Sequence, residues 1–256
     1  KKIVYLPPGA PVPPPGGVIT PPVTPPTTPP ITIAPPPPGF DIDGGYNYIY
    51  LNDNANILTL TGAGSGVVDG TNFTNFYAVD LRGGADIATI NAGGSLLGTL
   101  AGGDGTDTLN LNSGANSLSI DQTLSGTAAG TSISGFESIN LLDGNDTAVF
   151  SINSSATAPA SRQSLTLDGG TGTDALTLKL TKAELDYLSS AETLSALTTY
   201  LSNPTNQSIT LALSTLDLTL TGFESTNLFL PDGDLPDLNP ATLSLQFLDT
   251  AFSAAL

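Results

Sequence analysis

The sequence predicts an all-β protein: a parallel β-solenoid of ~20-residue coils with a helical insertion and an extended proline-rich N-terminal arm. Three observations lead there. First, residues 45–91 lie over residues 105–151 without a gap, with 15 of 47 positions identical, among them Asn52/Asn112, Asn56/Asn116, Phe76/Phe136, Gly84/Gly144 and Asp86/Asp146. A third, stretched copy follows, in which GGTGTDALTL at 169–178 answers GGDGTDTLNL at 102–111, and LTGFESTNL at 220–228 answers ISGFESINL at 133–141. Second, five segments share the pattern Asp/Asn, any residue, apolar, any residue, apolar, and begin at Asn47, Asp86, Asp107, Asp146 and Asp174. Alternation puts the apolar pair on one face of a strand and the acidic residue at the turn before it. Third, 28 glycines stand against only 16 Phe and Tyr residues, a balance that suits short strands and tight turns.

Taken in chain order, residues 1–39 form the arm, with 16 of the 21 prolines. Proline fixes φ and lacks an N–H, so the arm reads as polyproline II, reaching on the order of 120 Å. Its β-prone insets, Ile3–Leu6, Val18–Thr20 and Ile31–Ala34, are expected to add to strand edges of a neighbouring subunit. The start at Lys1, without Met, reads as a processed N-terminus or a fragment. Residues 40–256 form the solenoid domain. Within it, 181–203 opens with a capping box (Thr181 with Glu184) and carries Leu185, Leu188, Leu194, Leu197 and Leu201 at helical spacing, until Pro204 stops it. A C-terminal cap is expected over 239–256, with Asn239 before Pro240 at the first helical position.

Charge excludes several functions. Six basic residues against 23 acidic ones give a net of −17, which repels nucleic acid and anionic membranes and favours cations. No apolar run is long enough to insert as a membrane helix. Cysteine and histidine are both absent, which removes thiolate chemistry, imidazole general bases and the usual transition-metal ligands.

GGDGTDTLN (102–110) and GGTGTDALT (169–177) fit the nonapeptide G-G-x-G-x-D-x-apolar-x. Here the chain resembles the RTX proteins, the calcium-binding β-roll family secreted by bacteria. That resemblance implies Ca²⁺ held by Asp side chains and turn carbonyls, with Asp104, Asp107 and Asp174 at the matching positions and Asp86, Asp143, Asn145, Asp146 and Asp168 at degenerate corners. An alternative role for each Asp is to cap its own turn. Glu137 and Glu224, in the GFES segments, read as corner caps and not as ligands. Those segments also resemble bacterial adhesin and surface-layer repeats. The C-terminal LDTAFSAAL resembles the tails of proteins exported by type I secretion.

Nothing in the sequence reads as an enzyme. Paired carboxylates all belong to repeated Gly-rich turns, the only arginines are Arg82 and Arg162, and no Trp is present. Tyr46, Tyr48 and Tyr50 share one strand face as an edge or contact strip. The expected function is therefore that of a structural protomer of an extracellular bacterial filament or surface array. Copies of the chain would join through the arm and strand edges, with Ca²⁺ at the turns. The alternative is a calcium-dependent adhesin on a proline stalk, binding glycan or a host surface.

Overall fold

The computed structural model describes residues 41–43, 48–152, 162–181, 184, 196, 199–200 and 208–229. The arm, the C-terminal cap and Tyr46 lie outside the described residues. So does most of the 181–203 insertion, whose few described positions define no element. Of the capping box, Thr181 Oγ1 accepts the Glu184 N–H at 3.4 Å, while the Glu184 carboxylate accepts the Ser214 N–H at 2.9 and 3.0 Å.

The described residues are almost all β. β1 (Asp41–Asp43), β2 (Tyr48–Tyr50), β3 (Ile57–Gly62), β4 (Ser65–Val68), β5 (Thr71–Phe73), β6 (Ala78–Asp80), β7 (Gly83–Gly84) and β8 (Ile87–Ile90) reach the end of the first copy. β9 (Thr99–Ala101) and β10 (Asp104–Gly105) lead to the second copy. This holds β11 (Thr108–Asn110), β12 (Ser117–Asp121), β13 (Ser125–Ala128), β14 (Thr131–Ser134), β15 (Ser138–Asn140), β16 (Asp143–Gly144) and β17 (Thr147–Ser151). The third contains β18 (Gln163–Asp168), β19 (Thr171–Gly172), β20 (Ala175–Lys179), β21 (Ser208–Ala212), β22 (Leu216–Thr221) and β23 (Ser225–Phe229).

Two large sheets result. One runs β1-β2-β6-β9-β14-β13-β12-β17-β20-β23, the other β21-β22-β18-β15-β11-β8-β3-β4-β5. Successive passes of the chain alternate between them, and neighbouring passes pair in parallel, as in β3-β8-β11-β15-β18-β22. All five Asp/Asn-x-apolar-x-apolar segments are strands, and their apolar pairs point inward: Ile49/Leu51, Ala88/Ile90, Leu109/Leu111, Ala148/Phe150 and Leu176/Leu178 are buried. Inward residues of both sheets join in one hydrophobic cluster. At roughly 25 cal/mol per Å² of apolar surface, this shared layer is the main stabilising term.

The expected coil length needs correction. Leu58 faces Ala88, Ala88 faces Leu109, and Leu109 faces Ile139, which are steps of 30, 21 and 30 residues. Only a bare circuit takes about twenty residues. The longer steps contain antiparallel meanders, β3-β4-β5 and β12-β13-β14, which the Gly-rich sequence did not separate from the parallel strands.

The repeat has a further consequence. β2, β6 and the β3–β5 meander of the first copy match β11, β15 and the β12–β14 meander of the second, yet each matched pair occupies opposite sheets. Sixty residues hold an odd number of crossings, so each copy restarts on the other side.

Candidate functional site

The corner carboxylates form two ladders. In the first, Asp86 Oδ1 accepts the backbone N–H of Asn56 at 2.7 Å, Asp107 Oδ1 that of Asp86 at 2.8 Å, and Glu137 Oε2 that of Asp107 at 2.8 Å. In the second, Asp146 Oδ1 accepts from Asn116 at 2.6 Å, Asp174 Oδ1 from Asp146 at 2.7 Å, and Glu224 Oε2 from Asp174 at 2.6 Å. Rung matches rung across the repeat. The first ladder stands where the chain enters the nine-stranded sheet, at β3, β8, β11 and β15. The second stands where it enters the ten-stranded one, at β12, β17, β20 and β23.

Each acid thus satisfies a backbone donor one pass away, not a donor of its own turn. Such donors are costly to bury unpaired, and an ionised acceptor makes a stronger bond than a neutral one. Glycine makes room for the side chains: a methyl group on Gly102 would lie 2.8 Å from Asp107 Oδ2 and overlap the Gly135 carbonyl. Gly169 stands in the same relation to Asp174 and the Gly222 carbonyl.

Asp86, Asp107, Asp146 and Asp174 are at most 1% exposed, and the second oxygen of each is sealed with no hydrogen-bond partner among the described residues. Burial pushes the Asp86 carboxyl up to about 6; its bond from Asn56 opposes this, while Asp107 and Asp69 add repulsion. Burial likewise raises Asp107, Asp146, Asp174 and Glu137.

In each of these four aspartates one carboxylate oxygen is already taken by a backbone N–H, which leaves only the second oxygen for any other partner. The other predicted ligands sit on exposed or half-buried corners. Asp143 Oδ1 accepts from Thr171 Oγ1 at 2.6 Å, Asn145 Oδ1 from the Thr173 N–H at 3.0 Å, and Asp168 Oδ1 from the Gly170 N–H at 3.1 Å. Asp104, in β10, pairs by backbone with Gly83 and turns its side chain to solvent. The sequence reading named Glu137 and Glu224 as caps but missed Asn56 and Asn116 as the ladder heads; their identity across the repeat was the available signal.

A second grouping lies at the N-terminal end of the ten-stranded sheet. Tyr48 and Tyr50 stack at 6.0 Å between ring centroids, and Tyr77 meets Tyr48 edge-on at 5.6 Å. The Arg82 guanidinium carbon stands 5.4 Å from the centre of the Tyr50 ring. Arg82 also lines an open cleft of about 590 Å³ with Asp53, Gly83, Gly84, Gly103 and Asp104.

No family model, no curated protein and no solved structure matches this chain.

Proposed function

We propose that this chain is a structural protomer of an extracellular filament or surface array, with its alternating passes forming a β-solenoid strut. The observation that carries this reading is the pair of carboxylate ladders. The buried acids of the Gly/Asp corners are engaged in holding backbone, which is the work of a scaffold and not of a reaction centre. Parallel passes stacked on one shared core give a stiff body whose length is set by the number of passes. In this reading the proline arm joins one copy to the next. Calcium enters only at the outer corners, where Asp104, Asp143, Asn145 and Asp168 stand with the turn carbonyls.

Negative-stain microscopy and sedimentation velocity of the full chain, and of a chain lacking residues 1–39, test the proposal. Filaments or sheets are expected from the full chain and discrete particles from the truncated one. Discrete monomers from both, over a wide concentration range, would overturn it. Thermal melting with calcium and with EDTA tests the corner ions separately. A rise of several degrees with calcium is expected, and identical melts would remove calcium from the reading.

A further inference from the structure

The outer face of the nine-stranded sheet is not explained by a strut. Two files of outward side chains cross it in register. One runs from Asn72 on β5 to Ser208 on β21 and takes one residue from each of the nine strands. The other runs from Ile57 on β3 to Thr210 on β21, across seven strands. Every member is exposed or half-buried, and all are Ser, Thr, Asn or aliphatic except Asp168. Asp168 itself turns one oxygen to the Gly170 N–H at 3.1 Å. At the rim, Asp69 is held by the Asn56 amide and the Ile57 N–H, and Asp217 pairs with Arg162. In a chain of net −17, this broad face is thus nearly free of charge. Outward positions of the ten-stranded sheet, by contrast, include Asp80, Asp121 and Lys179.

The face also carries an apolar cluster that the fold does not require. Ile57 and Ile87 stand opposite one another, 60% and 42% exposed, and half-buried Val67 lies diagonal to Ile57 across β3 and β4. The internal repeat provides a control within one molecule. Sixty residues on, the same places are held by Ser117, Thr147 and Thr127, on the ten-stranded sheet. The strands therefore form with hydroxyls where the first copy has aliphatics. Single exposed apolar residues are ordinary, but three together on a charge-free surface mark a contact.

We infer that this face docks on the same face of a second copy, about a two-fold axis through the Ile57, Ile87 and Val67 cluster, so that each cluster covers the other. Charge names the partner. Two bodies of −17 repel wherever their carboxylates meet, and on this face they approach without doing so. A cationic partner would instead be drawn to the acidic corners. A two-fold contact is self-complementary, so one cluster supplies both halves of it. Nine strands at ~4.8 Å make a face about 40 Å long, the scale of a modest interface. The inference rests on the array reading: the arm joins copies end to end, and an array also needs a side-to-side contact.

The chain has no cysteine, so single introduced thiols report the contact. Thr59→Cys places one in the longer file beside the cluster, and Ser119→Cys, at the matching place of the repeat, puts one on the ten-stranded sheet. The full chain carrying either is treated with a short bis-maleimide, and covalent dimers are followed on denaturing gels. Thr59→Cys is expected to cross-link at least tenfold faster than Ser119→Cys. Adding the second-copy residues, Ile57→Ser, Val67→Thr and Ile87→Thr, should slow it at least tenfold, with the melting temperature kept. Equal rates at the two cysteines, or a rate that the triple change leaves intact, would overturn the inference. So would a monomeric Thr59→Cys chain that is slow to take a single maleimide, since the face would then be covered from within the chain. Cross-linked dimers without filaments or arrays would support the contact and count against the proposed function. Filaments without Thr59→Cys cross-links would do the reverse.

Discussion

The two carboxylate ladders share every rung but differ in how their first rungs are satisfied. At the head of the second, the Asn116 side-chain amide donates to the carbonyls of Asn112, Gly114 and Leu141 and to Asp146 Oδ1, and its oxygen accepts from Asn112. At the head of the first, Asn56 donates to Asp69 at 3.2 Å, and its own oxygen is buried without a partner among the described residues. Asp69 occupies the place of Ala129 in the second copy, and both are left-handed, at φ 46° and 47°. The backbone duty is therefore inherited with the repeat, while the surroundings of that duty are free to diverge. One ladder head is hydrogen-bonded by amides, and the other has gathered a further carboxylate.

The largest expected effect tests what the ladders share. Gly102→Ala and Gly169→Ala would each force a methyl group into a neighbouring carbonyl and against the corner aspartate. Each should cost about 3 kcal/mol or more in a urea melt, because backbone cannot step aside as a side chain does. Gly130→Ala is the control: its φ is 79° and nothing stands within 4 Å of the added methyl, so only the conformational strain of about 1 kcal/mol remains. Equal losses at all three positions would mean that space around the ladders does not matter.

The next effect separates the ladders. Asp146→Ala removes an acceptor of two Asn116 donors, the backbone N–H at 2.6 Å and the side-chain amide at 3.1 Å, whereas Asp86→Ala removes an acceptor of one. Losses of about 3 and about 2 kcal/mol are expected, respectively, from charged hydrogen bonds and the donors left bare. The reverse order would show that the amide cluster of Asn112 and Asn116 stands without its carboxylate.

A smaller effect follows from acidity. The folded-state value for Asp86, about 6, lies above its ordinary 3.8. Between those values the folded chain holds a proton that the unfolded chain releases, so this contribution is full below about 3.8 and is lost as pH rises through about 6. The urea midpoint should therefore fall from pH 4.5 to pH 7. The raised values of Asp107, Asp146, Asp174 and Glu137 act in the same direction. Asp86→Asn, uncharged at every pH, should flatten the profile; an unchanged slope would shift the pH dependence to the other acids.

Much of this was legible in the residues. The five alternating segments named their own strands and inward faces, and repetition of Asp86 at Asp146 and of Asn56 at Asn116 marked the corners as matched parts. What the sequence does not carry is the parity of the crossings. Nothing local to Asp107 or Asp174 says which sheet the next strand joins, since both sheets take the same alternating pattern. The target of each cap was hidden for a related reason. An aspartate before a strand looks the same whether it bonds its own turn or the N–H of a residue 21 to 30 positions earlier, and only the stacking of passes decides. The meanders escaped notice because Gly66 and Gly126 read as turn residues, yet they sit inside β4 and β13, where a side chain would collide with the adjacent strand.

The smallest expected effect comes from a carboxylate outside both ladders. Asp217, on β22, accepts from Arg162 at 2.6 Å, and both side chains are more than two-fifths exposed. Here the shift runs opposite to that of the ladder acids: the Arg162 hydrogen bond holds the Asp217 carboxyl below its usual value. Good geometry nonetheless counts for little at the surface, where water and salt compete for both partners and two long side chains lose freedom to meet. Arg162→Ala should leave the urea midpoint within measurement error at moderate salt. A loss comparable to that of Asp86→Ala would instead mean that the pair clamps β18 to β22. A surface acid and a buried one would then differ in setting but not in duty, and the contrast drawn between the ladders and the outer corners would have to be given up.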